Sequence, residues 1–283
     1  MNVAITGGSG FIGSHLTRHL SKSQNIVTRL DWRHLIMSGR PSQTVEDVLK
    51  SQDIVIHTAA IAHDTHNYSP EKLYQANHLL TKELAKLAVK TSIKRVIYLS
   101  TAYVHGTHAS EPVNEESSLR PNSYYAESKL LGEMALKDAI KGSTTTYTII
   151  RPPPVYGPDA PGNFGKLKSS IKNGVIFPYA HKAEKRSYIS IENLIAFILH
   201  SLTCKMAENQ TYLVSDKVSM AFPDILRRCA CETGGHHLRL LPLPAFMMKI
   251  PMTLMGRSEL YRSLFERFEI NQEKAIRTNW IPG

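Results

Sequence analysis

The chain has 283 residues, 42% of them hydrophobic and 20% charged, with a formal net charge of +10. That length holds one large domain or a domain with a smaller lobe, and the composition is that of a globular protein. No apolar run is long enough to span a bilayer, Cys204, Cys229 and Cys231 have neither metal-ligand nor disulfide spacing, and the basic residues lack the basic–aromatic stripe of a nucleic-acid binder.

Residues 2–6 read as a strand rather than a leader, so a cytoplasmic protein with reduced thiols is expected. A helix over 12–22 follows directly through Thr6-Gly7-Gly8-Ser9-Gly10-Phe11-Ile12-Gly13. Glycine carries an entropic cost, so this cluster needs a local reason. A strand turning straight into a helix aims free N–H groups and the positive end of the helix dipole beyond the sheet edge, and missing Cβ atoms admit a phosphate. Gly7, Gly10 and Gly13 thus form a candidate pyrophosphate loop, one residue wider in its first interval than the common dinucleotide fingerprint. The bland alternative is a tight turn without a ligand. Residues 25–31 read as a second strand, 53–59 as a buried strand and 71–91 as an amphipathic helix with Leu73, Ala76, Leu80, Leu84, Leu87 and Ala88 on one face. A buried strand over 95–101, a helix over 123–141 and a strand over 145–150 complete the first half. This alternation predicts an α/β fold with a Rossmann-type, doubly wound parallel sheet and a ligand site beyond the carboxyl ends of its strands. After Arg151 the prolines cluster (Pro152, Pro153, Pro154, Pro158, Pro161) and the elements shorten. Residues 1–151 are therefore expected to form a dinucleotide-binding domain. Residues 152–283 are expected to form mainly a smaller C-terminal α/β substrate lobe, with some segments returning to the main sheet.

The strand ending at Leu99 delivers Ser100 and Thr101 to the sheet edge. Tyr125 and Lys129 are four apart and share a helix face. A cation beside a phenol favours the phenolate and lowers the tyrosine pKa, which makes Tyr125 a candidate proton donor or acceptor. Thr101 is placed to orient the same substrate oxygen.

Taken together, Thr6-Gly-Gly-Ser-Gly-Phe-Ile-Gly13, Ser100-Thr101 and Tyr125-Ala-Glu-Ser-Lys129 resemble the extended short-chain dehydrogenase/reductase superfamily, and the first 31 residues resemble UDP-galactose 4-epimerases. Arg151-Pro-Pro-Pro-Val-Tyr-Gly-Pro158, Gly162-Asn-Phe164, Arg186-Ser-Tyr-Ile-Ser190, Tyr212-Leu-Val-Ser-Asp216 and Asn279-Trp-Ile-Pro282 resemble bacterial enzymes that reduce UDP-4-keto-6-deoxy-N-acetylhexosamines for surface polysaccharides. The resemblance implies a nucleotide-sugar oxidoreductase acting at C4, with Thr101, Tyr125 and Lys129 catalytic. The alternatives are a 4-epimerase that retains its NAD and a non-catalytic NAD(P)H sensor or scaffold. Gly7, Gly10, Phe11, Ile12, Gly13, Thr58, Ala59, Ala60, Ser100, Tyr125, Lys129 and Pro152 would face the cofactor. Asp31 would hold the adenosine ribose and, because a carboxylate repels a 2′-phosphate, favour NAD(H) over NADP(H); Arg29 and Arg33 flank it and would instead welcome that phosphate. Thr101, Asn163, Arg186 and Arg262 would meet the UDP-sugar, Arg186 on the diphosphate unless it forms a surface salt bridge. The segment between Asp31 and Asp53 departs from the relatives, being too polar for the further strand they fit there.

Other features have plainer readings. His63 is a substrate contact or a solvated loop histidine. His236-His237 has no acidic partner nearby, so no metal is expected. Asn77 matches a structural asparagine that bonds backbone near the active strand. Leu241 to Met255 is free of acids and reads as lobe core split by Pro251 rather than as a membrane-surface segment. Relatives pair helices 71–91 and 123–141 across a homodimer interface, and the same is expected here.

Overall fold

Five apolar runs of the first half become the parallel strands of one sheet in a computed structural model, which describes residues 1–22, 25–30, 43–62, 68–180, 184–234, 238–256 and 258–283. The elements there are β1 (Asn2–Thr6), α1 (Phe11–Ser21), β2 (Ile26–Leu30), α2 (Gln43–Leu49) and β3 (Ile54–His57). They continue with α3 (Pro70–Tyr74), a π-helical turn (Gln75–Leu79), α4 (Leu80–Lys90), β4 (Arg95–Leu99), α5 (Tyr124–Ile140) and β5 (Thr146–Arg151). The second half supplies β6 (Val155–Tyr156), α6 (Gly162–Lys172), β7 (Ile176–Ala180), β8 (Ile189–Ser190), α7 (Ile191–Thr203) and β9 (Gln210–Leu213). It ends with α8 (Phe222–Glu232), β10 (Arg239–Leu243), α9 (Ala245–Leu254), α10 (Ser258–Phe265) and α11 (Glu273–Ile276).

The main sheet has the order β2-β1-β3-β4-β5-β9, every neighbouring pair parallel. Parallel strands need covered faces on both sides, which is why β4, Arg95-Val-Ile-Tyr-Leu99, is buried along its whole length. One face packs Val3, Ile5, Ile97 and Ile150 against Leu16 and Leu20 of α1 and Leu194, Phe197 and Ile198 of α7. The other packs Val55, Val96 and Ile149 against Leu84 and Ala88 of α4 and Leu136 and Ile140 of α5. β9 comes from the second half and still joins the sheet beside β5. A separate core, containing Tyr156, Phe164, Tyr188, Phe222, Met248, Tyr261 and Phe265, organises the lobe over the carboxyl ends of the strands.

Local chemistry starts the helices. Ser123 caps α5 by accepting from the Ala126 N–H, and Ser190 caps α7 by accepting from the Asn193 N–H. The π-helical turn and β4 approach α5 closely because position 132 is glycine: a Cβ there would stand 2.5 Å from the Tyr98 hydroxyl and 2.6 Å from the Asn77 carbonyl. The π-helical turn places buried Asn77 at this crossing. Its amide receives the Ile61 N–H at 2.9 Å and donates to the Ile61 carbonyl and the Ser128 hydroxyl, the backbone-bonding role expected of it.

Candidate active site

Most of the site residues expected from the sequence converge beyond the carboxyl ends of β1, β3, β4 and β5. There a cavity of about 290 Å³ is lined by Gly7, Gly10, Phe11, Ile12, Gly13, Thr58, Ala60, Ser100, Thr101, Tyr125, Lys129, Pro152 and Asn163, all of them expected from the sequence. Ala62, Leu99, Tyr103, Pro153, Pro154, Val155, Pro161 and Phe164 complete the wall. A second recess of similar size, with Lys137, Lys141, Tyr147 and Asn209, lies at the opposite, amino-terminal ends of β5 and β9, where parallel sheets do not bind ligands.

The glycine loop is built for a dinucleotide. Gly7 has φ +71°, and a Cβ on it would lie 2.7 Å from the Ala59 nitrogen, so Ala59 backs the loop. A Cβ on Gly13 would collide with the Gly7 carbonyl, so glycine there is what lets α1 start against the turn. α1 begins after Gly10 with no side-chain cap. Its first-turn N–H groups therefore face the cavity without intrahelical acceptors, at the positive end of the dipole. These residues fit the pyrophosphate of a nicotinamide dinucleotide. Asp31, Arg33, His63 and His236-His237 lie outside the described residues.

The three side chains expected to be catalytic stand together along the cavity. Thr101 follows β4, and its hydroxyl faces the Tyr125 phenol from the first turn of α5, close enough to favour the phenolate. The Thr101 oxygen also accepts from the Tyr103 N–H at 3.2 Å, which fixes its direction. The Lys129 ammonium sits 4.2 Å above the centre of the Tyr98 ring. The expected lowering of the Tyr125 pKa by Lys129 is not found. Burial pushes the phenol up to about 12, opposed by the Thr101 hydroxyl, and Lys129 makes no resolved contribution. Burial also pulls Lys129 down to about 7, against the attraction of Glu133, which makes it a weaker cation than the sequence implied.

Beneath the cleft lies a polar cluster that the sequence reading missed. The Glu133 carboxylate takes Nε and Nη2 of Arg151 at 2.9 and 2.6 Å and also accepts from the Ser100 hydroxyl. Nη1 of Arg151 donates to Nε2 of His105 at 3.0 Å, while Nδ1 of His105 faces the Ser118 carbonyl. His105 is thereby held neutral, and burial and the Arg151 charge drop its pKa to about 4. Glu133, Arg151, Ser100 and His105 are all buried. The available signal was spacing: Tyr125, Lys129 and Glu133 form one i, i+4, i+8 stripe.

Two expected substrate contacts stand elsewhere. Arg186 is 1% exposed and does not line the cleft. It donates to the carbonyls of Arg262, Glu266 and Thr107 and stands behind Tyr103, whose phenol it steadies. It is neither a surface salt bridge nor, in this arrangement, a residue of the cavity wall, because folding of the 258–268 segment occupies its guanidinium. Arg262 is turned to its own helix and to Glu266, pairing with Glu259 at 2.8 Å. Arg186→Ala strands three carbonyl acceptors, each costing about 1–3 kcal/mol when buried and unmet. We expect a melting temperature lowered by roughly 10 °C. Calorimetry with UDP on the folded variant separates this from a binding role: a loss of UDP affinity with unchanged melting would reverse the assignment.

A six-stranded parallel sheet with a glycine-turned β1–α1 junction and a Thr-Tyr-Lys group at its carboxyl edge defines a Rossmann-type protein of the short-chain dehydrogenase/reductase class. The chain belongs to the NAD dependent epimerase/dehydratase family, whose model matches residues 3–215. It is 29% identical to a UDP-glucose 4-epimerase of Vibrio cholerae over 99% of this chain and 90% of that protein. It is 27% identical to an N-acetyl-alpha-D-glucosaminyl-diphospho-ditrans,octacis-undecaprenol 4-epimerase of Escherichia coli O157:H7 over 90% of this chain and 77% of that protein. Among solved structures, UDP-glucuronic acid 4-epimerase from Bacillus cereus in complex with NAD superposes with a TM-score of 0.78 at 20% identity, covering 100% of this chain and 94% of that one. A dTDP-4-dehydrorhamnose reductase from Bacillus anthracis in complex with NADP gives 0.78 at 19% identity, covering 99% and 94%. These likenesses share the fold.

Proposed function

We propose that the protein moves a hydride to C4 of a UDP-4-keto-6-deoxy-N-acetylhexosamine, a step toward surface polysaccharide precursors. The observation that carries this reading is the convergence of Thr101, Tyr125 and Lys129 beside the glycine loop in one cavity. Gly7, Gly10, Phe11, Ile12, Gly13 and Thr58 would hold the dinucleotide, with Lys129 on its nicotinamide ribose. The bound nicotinamide supplies the hydride. Tyr125 gives its phenolic proton to the C4 oxygen and the Thr101 hydroxyl orients that oxygen. A phenol whose pKa burial raises to about 12 starts with the proton that ketone reduction requires.

A second reading, a UDP-sugar 4-epimerase, uses the same three groups and is favoured by the nearly end-to-end match to the Vibrio cholerae enzyme. Cofactor turnover separates the two. A reductase releases oxidised cofactor each cycle and consumes one reduced nicotinamide per sugar; an epimerase regenerates its own. We expect purified protein given UDP-4-keto-6-deoxy-N-acetylglucosamine to oxidise the reduced cofactor, followed by absorbance. Interconversion of UDP-glucose or UDP-N-acetylglucosamine with its C4 epimer in a parallel sample without added cofactor, and no oxidation in the first, gives the site to the epimerase. Inactivity in both with cofactor still bound points to the sensor reading.

NAD(H) is the proposed cofactor, in preference to NADP(H), on the strength of Asp31. The competing residues are Arg29 and Arg33; the aliphatic stem of Arg29 lies across the glycine loop, where a Cβ on Gly8 would meet its Cγ at 3.0 Å. Fluorescence titration is expected to show tighter NADH binding; tighter NADPH binding would transfer the preference to Arg29 or Arg33. The proposed homodimer uses the outward faces of residues 70–90 and 124–140, where Tyr74, Leu79 and Met134 are exposed.

A further inference from the structure

The segment expected to be lobe core is only half buried. Met248 and Met252 of α9 pack into the lobe core beside Tyr261 and Phe265. At about 100° per residue, Phe246, Met247, Ile250 and Leu254 occupy the opposite face of the same helix. They are 62%, 52%, 56% and 83% exposed, and Met255 follows at 66%. A helix that is apolar on both faces has an outer face that water does not favour. The chain over 233–258 contains neither Asp nor Glu but does contain Arg239, Lys249 and Arg257. The nearby acids are engaged: Glu259 pairs with Arg262, and Glu266 lies 3.8 Å from Lys249.

We propose that α9 docks this protein on an anionic lipid bilayer, its outer apolar face entering the interface, with the exposed Arg239 of the preceding strand available to the headgroups. An acid-free apolar helix on a chain of net charge +10 is complementary to that surface. A second copy of the chain would bring the same positive charge to the contact and is the poorer fit. Among the described residues no helix is long and apolar enough to cross a membrane, so the helix lies in the surface plane. α9 shares its core with Phe164, which also lines the catalytic cleft, so docking holds the substrate lobe itself at the lipid boundary. This inference is independent of which sugar the cleft accepts.

The test is co-sedimentation of the full chain with vesicles of phosphatidylcholine containing about 30% phosphatidylglycerol, and with vesicles of phosphatidylcholine alone. The wild type is expected to sediment with the anionic vesicles and to be released by salt. The variant F246S/I250S/L254S alters exposed positions only, so its thermal melt should match wild type, and its vesicle partitioning should fall by about tenfold or more. Wild type that stays in the supernatant overturns the proposal, as does a variant that sediments equally well. A change from dimer to monomer in the variant by sedimentation velocity, without vesicle binding by wild type, would give the face to a second copy instead.

Discussion

Tyr125→Phe is expected to lower kcat by about 10²–10⁴-fold, the usual worth of a positioned proton donor, while leaving the fold and the cofactor affinity close to wild type. The substitution removes one oxygen and keeps the ring that packs at the start of α5. The Thr101 hydroxyl loses the phenol but keeps its bond from the Tyr103 N–H, so the substrate-orienting group stays in place. The glycine loop, on α1, does not touch the deleted atom. The prediction therefore separates chemistry from binding: turnover collapses, while NADH quenching and the melting curve do not. Near-full turnover on the correct sugar would show that some other group delivers the proton. Lys129→Met should be broader in effect, because the same side chain is proposed to hold the cofactor ribose and also packs over Tyr98.

The sheet was legible because its strands are short apolar runs and its helices carry a one-sided stripe, and both patterns are local. Strands expected over 2–6, 53–59, 95–101 and 145–150 and helices over 71–91 and 123–141 stand within a few residues of where they were placed. The glycine loop and the Tyr125–Lys129 pair were legible for the same reason, since a turn or one helix face fixes their geometry. Three features were hidden because they depend on contacts distant in sequence. Glu133 and Arg151 are ordinary charged residues until α5 packs on β5 and closes water away from both. Arg186 looks like an anion clamp, but the 258–268 segment folds back and fills its donors with carbonyls. The 241–255 stretch has the composition of a core, yet only one of its faces finds the lobe.

The largest stability effect is expected from Glu133. In Glu133→Gln the side-chain shape survives, but the Arg151 guanidinium is left buried with a neutral partner, and Ser100 loses a charged acceptor. Breaking a buried pair from one side costs about 3–5 kcal/mol, which for a chain of this size lowers the melting temperature by roughly 10 °C or more. The double variant Glu133→Leu/Arg151→Met removes both charges at once and is expected to be more stable than the sum of the single losses predicts, because the penalty lies in the orphaned charge. Strict additivity in that cycle would show that the two side chains do not act as a pair. The same cluster sets an acid limit. His105 is neutral in the fold, with its Nε2 accepting from Arg151, and its pKa is lowered from 6.5 to about 4. The unfolded chain therefore takes up this proton first as pH falls, so the stability His105 contributes is complete above about 6.5 and disappears toward pH 4. His57, the last residue of β3, bonded to Thr6 and Thr81, adds to the same trend with a pKa lowered to about 3. Thermal melts from pH 7.5 to about 4.5 should fall steadily for wild type. In His105→Gln, where the amide oxygen can accept from Arg151 but nothing titrates, the slope should be shallower. An unchanged slope in that variant would remove His105 from the acid response and leave the Glu133–Arg151 pair to be judged by the double-variant cycle alone.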